Sequence, residues 1–529
     1  MSPARGRRRP PGQALSTFLA GAPALGLPER AALVEAATTL LSGAYVHLRQ
    51  KQARYGVDPV QQLRVLRGRL TGLTAQGFTD ELAAIFTALR DRHTGYLAPA
   101  PYAGRTAVLP FLVERYRTST GAVRHVVSKQ ADWCPRDQGF EAGLQVTHWN
   151  GIPIDRAVER VADHQRGATD DARLSRGLNA LVTRSLEHGP PPDEEWVTVT
   201  YRSGRGTAHQ SFRWRVIDTD DQDAAGADTA DAALTFAQDP DGQAVQAARR
   251  ELYAPRQPAD PWIPTSRPKV FAARPLNRRL GYLRVWSFAD PDAAAVRDEA
   301  SRLAGLLPRH GLVLDVRGNP GGNVPTAELL LQVFTTRHIV PAGFSLANTT
   351  LTLAMSQADP EQLGRWTPSL QLAVGTGEPY SQALPLTNEA QANDLPRDRR
   401  YPGPVVLVVD ALTYSAADIF AAGFQDNQLG PILGTSATTG AGGANVWTAA
   451  QIAQRVTEGD HGPVLPAAGG SFTVAVRRAT RVGDRAGLPL EDIGVIADQL
   501  HHLTRSDLTN GNRQLLRAAA ALLGPPGPG

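Results

Sequence analysis

The 529-residue chain has little cysteine, little lysine and no long apolar runs. Its one cysteine, Cys134, excludes an intrachain disulfide and any multi-cysteine metal site. No stretch approaches the ~18 apolar residues that a membrane-spanning helix needs, so no membrane span is expected. Lysine and arginine together number 55, yet only Lys51, Lys129 and Lys269 are lysines. Net charge is scarce as well. The formal +4 is matched by Arg5, Arg7, Arg8 and Arg9 alone, and beyond them the charges cancel. A nucleic-acid binder carries its basic excess on the folded domain, so no nucleic-acid partner is expected.

What is present fits a soluble globular protein: 42% hydrophobic and 20% charged residues. At roughly 150 residues per domain, the length accommodates three or four domains. Arg7-Arg8-Arg9 followed by Ala14 to Leu27 has the outline of an export signal, but Gly21, Pro23 and Gly26 interrupt its apolar part. A disordered basic tail, and with it a cytoplasmic location, is the favoured expectation. Association into an oligomer is compatible with the sequence.

From Pro28 to about Ala100 the pattern is helical, with runs after Pro28, at Val60 to Leu70 and at Asp80 to Arg90, the last with Thr79 as its expected N-cap. From Thr106 to Val216 it is mixed. Asn150-Gly151 there marks a hairpin, since both central residues of that turn require positive φ. Asp218 to Asp241 holds eight aspartates and no basic residue, and reads as a linker or surface insertion. It lacks the glycine and glutamate spacing of a calcium loop, so neither a metal nor a cofactor is expected. From Arg279 to Leu500, short apolar strands alternate with helices. That pattern predicts a mainly parallel sheet covered on both faces, with chemistry at the C-terminal strand ends.

Two strand ends qualify. Leu312 to Val316 runs into Arg317-Gly318-Asn319-Pro320-Gly321-Gly322-Asn323, whose glycines suit either a tight turn or a cradle of N–H groups for an anion. The spacing fits neither an ATP-binding loop nor a dinucleotide fingerprint. Val405 to Asp410 leads to Ser415 at a strand-to-helix junction. This position suits a nucleophile, and equally an N-cap with Asp418 three residues on.

Leu280-Gly281-Tyr282-Leu283-Arg284, Leu314 to Gly322, and Ser415-Ala-Ala-Asp418 with Gln425-Asp426 occur in order. They resemble the core of the serine peptidases that include C-terminal processing proteases, tricorn protease and retinoid-binding protein repeats. Asp91-Arg92-His93-Thr94 is similar to that family's short histidine motif. Phe140 to Ile154 resembles the turn region of a PDZ domain, and Pro489 to Val495 the family's closing Glu…Gly-Val segment. The resemblance implies an α/β multidomain protein. Its parts would be a basic tail (1–27), a helical cap (28–104), a PDZ-like α+β domain (105–216) and an acidic then Pro-rich linker (217–268). An α/β peptidase core (269–505) and a C-terminal helix and tail (506–529) would follow.

In the family's processing proteases a lysine follows the serine by about 25 residues and serves as its base. Here that position is Gly440, and no lysine follows Lys269. Arginine cannot replace it, because it does not deprotonate near neutral pH. The sequence therefore resembles the tricorn-like branch, which draws a histidine from the cap and a glutamate from near the C-terminus. Carried over, Ser415 attacks the scissile carbonyl, His93 is the general base, and Glu491 (or adjacent Asp492) orients the imidazole. The N–H groups of Ala416 and of Gly321 or Gly322 form the oxyanion hole. Two departures stand out: Ala416 where tricorn has aspartate, and Ala497 where the family commonly has proline. The implied partner is a peptide or unfolded protein substrate. The alternatives are a non-catalytic peptide- or apolar-ligand-binding protein on the same fold, and PDZ-like capture of a partner's C-terminus. The joint presence of Ser415, His93 and Glu491 favours the peptidase.

Overall fold

The computed structural model describes residues 11–135, 139–204, 206–219, 236–253, 262–456, 461–466 and 469–524. Arg5 to Arg9 and the aspartates from 220 to 231 fall outside them. No single helix among the described residues is long and apolar enough to cross a membrane.

Four helices, Leu27–Gly43, Leu48–Tyr55, Pro59–Arg69 and Ala75–Ala88, form the N-terminal layer. Their starts are set locally. Pro28 sits in the first turn of one, and Asp58 and Thr74 accept N–H bonds from Gln61 and Gly77. Thr74 rather than Thr79 is thus the cap of the last helix. Thr79 lies inside it and bonds back to the Ala75 carbonyl. Order begins earlier than the composition of the tail suggests. Gln13–Ala14 pairs with Arg215 and Val216, and Leu15 and Phe18 are buried beside them.

A six-stranded sheet follows, with Gly206–Arg213, Trp196–Ser203, Gln145–Trp149, Val123–Gln130 and Phe111–Arg117 as neighbours in that order and Ile152–Pro153 paired with Gln145–Trp149. All of its pairs are antiparallel. Phe111 and Tyr201 pack edge-on with Phe140 in its core, and Phe212 packs at a tilt against Phe111 and Phe140. Asn150 and Gly151 both have positive φ and turn the chain from Trp149 to Ile152, as the hairpin signal requires.

The C-terminal part is built on a second six-stranded sheet. Its order is Phe271–Pro275, Gly281–Val285, Leu312–Asp315, Val405–Val409, Ile432–Gly434 and Gln499–Leu500, and every pair after the first is parallel. Both faces are covered, which explains why these strands are continuously apolar rather than alternating. Leu314 and Leu407 face the main core with the helix Ala416–Asp426, whereas Val313 and Val406 meet Leu515 and Ala519 of Arg513–Leu522.

The range read as a linker also contains regular structure. Phe236–Gln238 is a strand and Pro240–Tyr253 a helix. Its aspartates are not all solvated: Asp239 is 4% exposed. Composition indicated a surface segment because it cannot reveal that buried arginines elsewhere await these carboxylates.

Asp315 anchors the strand end that carries the glycine turn. Its carboxylate accepts from Tyr282 Oη at 2.8 Å, Arg284 at 2.6 Å and Arg317 Nη2 at 2.8 Å. Burial alone would raise its pKa, but Arg284 and Arg317 outweigh that and hold it below the usual carboxylate range. Its stabilisation is therefore complete above the unfolded pKa near 3.8 and is lost as pH falls. Asp315→Asn leaves two arginines facing a neutral amide and is expected to cost about 3–5 kcal/mol. The measurement is the urea midpoint at neutral pH, and an unchanged midpoint would contradict this role.

Candidate active site

Ser415 and His93 are 322 residues apart in sequence, and their Oγ and Nε2 atoms lie 2.6 Å apart in the fold. Both are fully buried. The core positions the serine. Val405–Val409 ends at Asp410, whose carboxylate accepts from the N–H groups of Leu412 and Gly318. Tyr414 N–H then donates to the Asn319 carbonyl at 3.0 Å, tying the two strand-end loops together. Ser415 itself has φ 67° and ψ −122°. A non-glycine residue held there stores backbone strain, which the packing around it must sustain. Its hydroxyl turns toward His93, while its backbone N–H donates to Asp418 at 3.3 Å. The N-cap reading of Ser415 and Asp418 thus holds for the backbone half, and the side chain is left for the imidazole.

The histidine is brought in by strand pairing. Immediately after it, Gly95–Leu97 joins the edge of Ser471–Thr480 in antiparallel register, Tyr96 opposite Phe472. Thr94 Oγ1 accepts from Ala475 N–H at 3.0 Å. The Tyr414 ring packs on the imidazole with centroids 4.7 Å apart, and its hydroxyl is 3.4 Å from Nδ1. With a proton on Nδ1, Nε2 is free to accept from the serine hydroxyl. Burial is the main cause that lowers the His93 pKa to about 4, against the opposing pull of Asp91, so the ring is neutral at pH 7.

Of the predicted orienting acids, neither bonds to His93. Glu491 Oε1 lies 2.6 Å from Lys51 Nζ, and its other oxygen accepts from Gly443 N–H. Asp492 is held by the same lysine at 2.5 Å, by Tyr55 and by Gln50. The carboxylate facing Nδ1 is Asp91, at 3.6 Å, which also accepts the His93 backbone N–H at 2.8 Å. Donor atoms of Asp91, His93 and Glu491 all fall within 4.8 Å of one another, close enough to hold a cation. The Lys51 ammonium already supplies a positive charge to Glu491. Burial would drive Lys51 toward neutrality, but Glu491, Asp91 and Asp492 outweigh it and hold its pKa above the usual range.

The glycine turn also sorts the predicted N–H donors. Gly321 N–H is taken by Asn319 Oδ1 at 2.9 Å. Ala416 is the first residue of its helix, so its N–H has no intrahelical acceptor. Gly322 has φ +145°, and a Cβ there would lie 2.0 Å from the Phe288 carbonyl carbon, so only glycine fits. Antiparallel to this turn runs Phe236–Gln238, with Ala237 opposite Gly322. Asp418, behind Ser415, is pushed up to about 7 by burial, against the lowering bonds from Thr439, Gly442 and Ser415. Gly440 donates its N–H to the Thr413 carbonyl and offers no base.

Sequence reasoning left Lys51, Asp91 and Tyr414 without roles. Asp91 stood inside the quoted histidine motif, and Tyr414 adjoins Ser415. Lys51 had one signal, its rarity in an arginine-rich chain.

Residues 279–454 match Peptidase family S41. Among solved structures, mature CPAF complexed with lactacystin shares 16% identity over 94% of this chain and 99% of that one, with a TM-score of 0.64. Mature CPAF alone aligns at 17% identity over 93% and 96%, also at 0.64. These likenesses establish the fold. Tricorn protease aligns at a TM-score of 0.38, too distant to choose a branch. No curated protein matches the sequence.

Two outcomes are expected of this cluster. In NMR-monitored titration the His93 imidazole should protonate near pH 4, not near the 6.5 of a free histidine. Lys51→Met strands two buried carboxylates and should destabilise the chain by about 3–5 kcal/mol. A loss under about 1 kcal/mol would mean that these carboxylates do not depend on it.

Proposed function

We propose that in this chain, a serine-type peptidase whose residues 279–454 match Peptidase family S41, Ser415 and His93 carry the hydrolysis. The observation behind this reading is the 2.6 Å contact between Ser415 Oγ and His93 Nε2, made by a serine in a strained, positive-φ conformation.

In this reading Ser415 Oγ attacks the peptide carbonyl carbon as its proton passes to His93 Nε2. The tetrahedral oxyanion is met by the N–H groups of Ala416 and Gly322, each worth ~10²–10³ in rate. His93 returns the proton to the departing amine, leaving an acyl ester on Ser415. Water, deprotonated by the same imidazole, then releases the acid. Asp91 stabilises the transient imidazolium from the Nδ1 side. Glu491, bonded to Lys51, holds the Gly443 turn next to it rather than bonding the ring. This division of labour replaces the Ser–His–Glu assignment drawn from resemblance. The six-stranded antiparallel sheet with the helices Ile154–Ala162 and Asp170–Ala180 is read as a PDZ-like domain, whose role would be to guide an extended peptide.

The test is covalent labelling with a fluorophosphonate. The wild-type chain should be labelled, Ser415→Ala should not, and His93→Ala should be labelled at least about 10³-fold more slowly. Peptide hydrolysis should fall in parallel. Labelling that persists in Ser415→Ala would overturn the assignment.

A further inference from the structure

Beside the Ser415–His93 pair lies a cluster of buried charge that the reaction does not use. Arg92 directly precedes His93, and its Nε is 2.7 Å from Asp239 Oδ2 while its Nη2 bonds Asp241. Arg176, from the helix Asp170–Ala180, stacks over the Tyr414 ring at 4.8 Å and approaches Asp239 at 3.6 Å. It is 5% exposed, and neither Nη1 nor Nη2 makes a hydrogen bond among the described residues. A guanidinium buried with unfilled donors is costly unless an anion completes it. The nearby Arg166 differs, because the carbonyls of Thr94 and His188 occupy it.

The anion now present belongs to the chain itself. Phe236–Gln238 adds to the glycine turn as an antiparallel strand, and Asp239 N–H continues the pairing to the Pro320 carbonyl at 2.9 Å. Asn445 Nδ2 holds the Phe236 carbonyl from the other side at 2.7 Å. An extended peptide docking by strand addition would run along the same edge. Asp239 Oδ1 caps the following helix through Gly242 N–H, whereas Oδ2 faces the arginines. A helix cap alone requires no arginine pair. Burial and the neighbouring Arg92 both depress the Arg176 pKa, and Asp239 is the first group opposing them, so the pair calls for a carboxylate. The site opens into a crevice of about 2240 Å³ that both arginines line.

We propose that Arg92 and Arg176 form a subsite for an acidic side chain of an extended peptide substrate, and that Asp239 occupies it as an internal stand-in. This deepens the peptidase reading and rests on it: the substrates are peptides with Asp or Glu close to the cleaved bond. A substrate must displace the strand Phe236–Gln238 to reach Ser415.

The experiment uses the full chain carrying Asp239→Asn and Asp241→Asn, which removes the internal carboxylates. The probe is a fluorescent, C-terminally amidated peptide with the sequence of residues 235–242, Thr-Phe-Ala-Gln-Asp-Pro-Asp-Gly, beside a twin with Asn for both Asp. Binding is read by anisotropy. The acidic peptide should bind at least about tenfold more tightly than its twin, as charge-assisted bonds to buried arginines require. Adding Arg176→Gln should bring the ratio to within about twofold. Equal binding of the twins, no binding of either, or a preference that survives both Arg92→Gln and Arg176→Gln would overturn the subsite. A second measurement needs no altered protein. Wild-type kcat/KM is compared for quenched peptides in which a single Asp, Asn or Lys is moved through the positions flanking the cleaved bond. A preference for Asp at one position supports the subsite, and indifference to charge overturns it. Fluorophosphonate labelling separates the two readings. If labelling fails while acidic peptides still bind selectively, the nucleophile assignment falls and the subsite stands; if labelling succeeds without selectivity, the reverse holds.

Discussion

The strand Ser471–Thr480, in a sheet separate from the one that carries Ser415, anchors the histidine loop, and the arrangement of the site depends on that anchor. On one side Gly95–Leu97 pairs with it, and Val46 N–H reaches the Ala475 carbonyl. Gly343–Leu346 pairs further along that same edge, and Ala444–Thr448 pairs along the opposite one. The histidine loop is thereby tied to a strand that is itself held along both edges and bonded to the helical layer through Val46. A contact of 2.6 Å between residues 322 positions apart needs this kind of support, because a loop on a mobile hinge would not hold that distance.

Burial gives the site its electrostatic character. His93 is kept neutral chiefly because charge is costly where no water reaches, and Asp91 answers that cost only in part. Such a ring is in its proton-accepting form at neutral pH, and the imidazolium made during reaction depends on Asp91 for stabilisation. The same low-dielectric setting makes the surrounding charges selective about partners. Lys51 pairs with Glu491 and Asp492, and Arg92 with Asp239 and Asp241. Each set lies against the loop Asp91 to Thr94, so the loop is held between two buried ion clusters as well as by strand pairing.

Much of the core was legible from local pattern. The apolar strands Leu312–Asp315 and Val405–Val409 each end one residue inside the expected segments, Leu312 to Val316 and Val405 to Asp410. The glycine turn could be read as a cradle because strand, glycines and helix follow within a dozen residues. The helical layer was legible in its periodicity but not in its caps: Thr79 and Thr74 look alike in sequence, and only the packed helix selects the earlier one. Lysine was legible only as an absence after Lys269; that Lys51 is buried among the acids beside His93 shows only in the fold.

By itself the sequence determined which residues could do chemistry and at which strand ends they sit. Those signals are local: a strand, a turn that only glycine permits, a serine at a helix start. It also excluded a lysine base downstream of Ser415, since no lysine follows Lys269. Only the tertiary structure decided which acid faces His93 and that Lys51 bonds Glu491. It alone placed an aspartate from an acidic stretch against Arg92 and Arg176. Those choices are made by segments hundreds of residues apart competing for the same buried space. Without water, each charge must settle with whichever partner packing brings within reach.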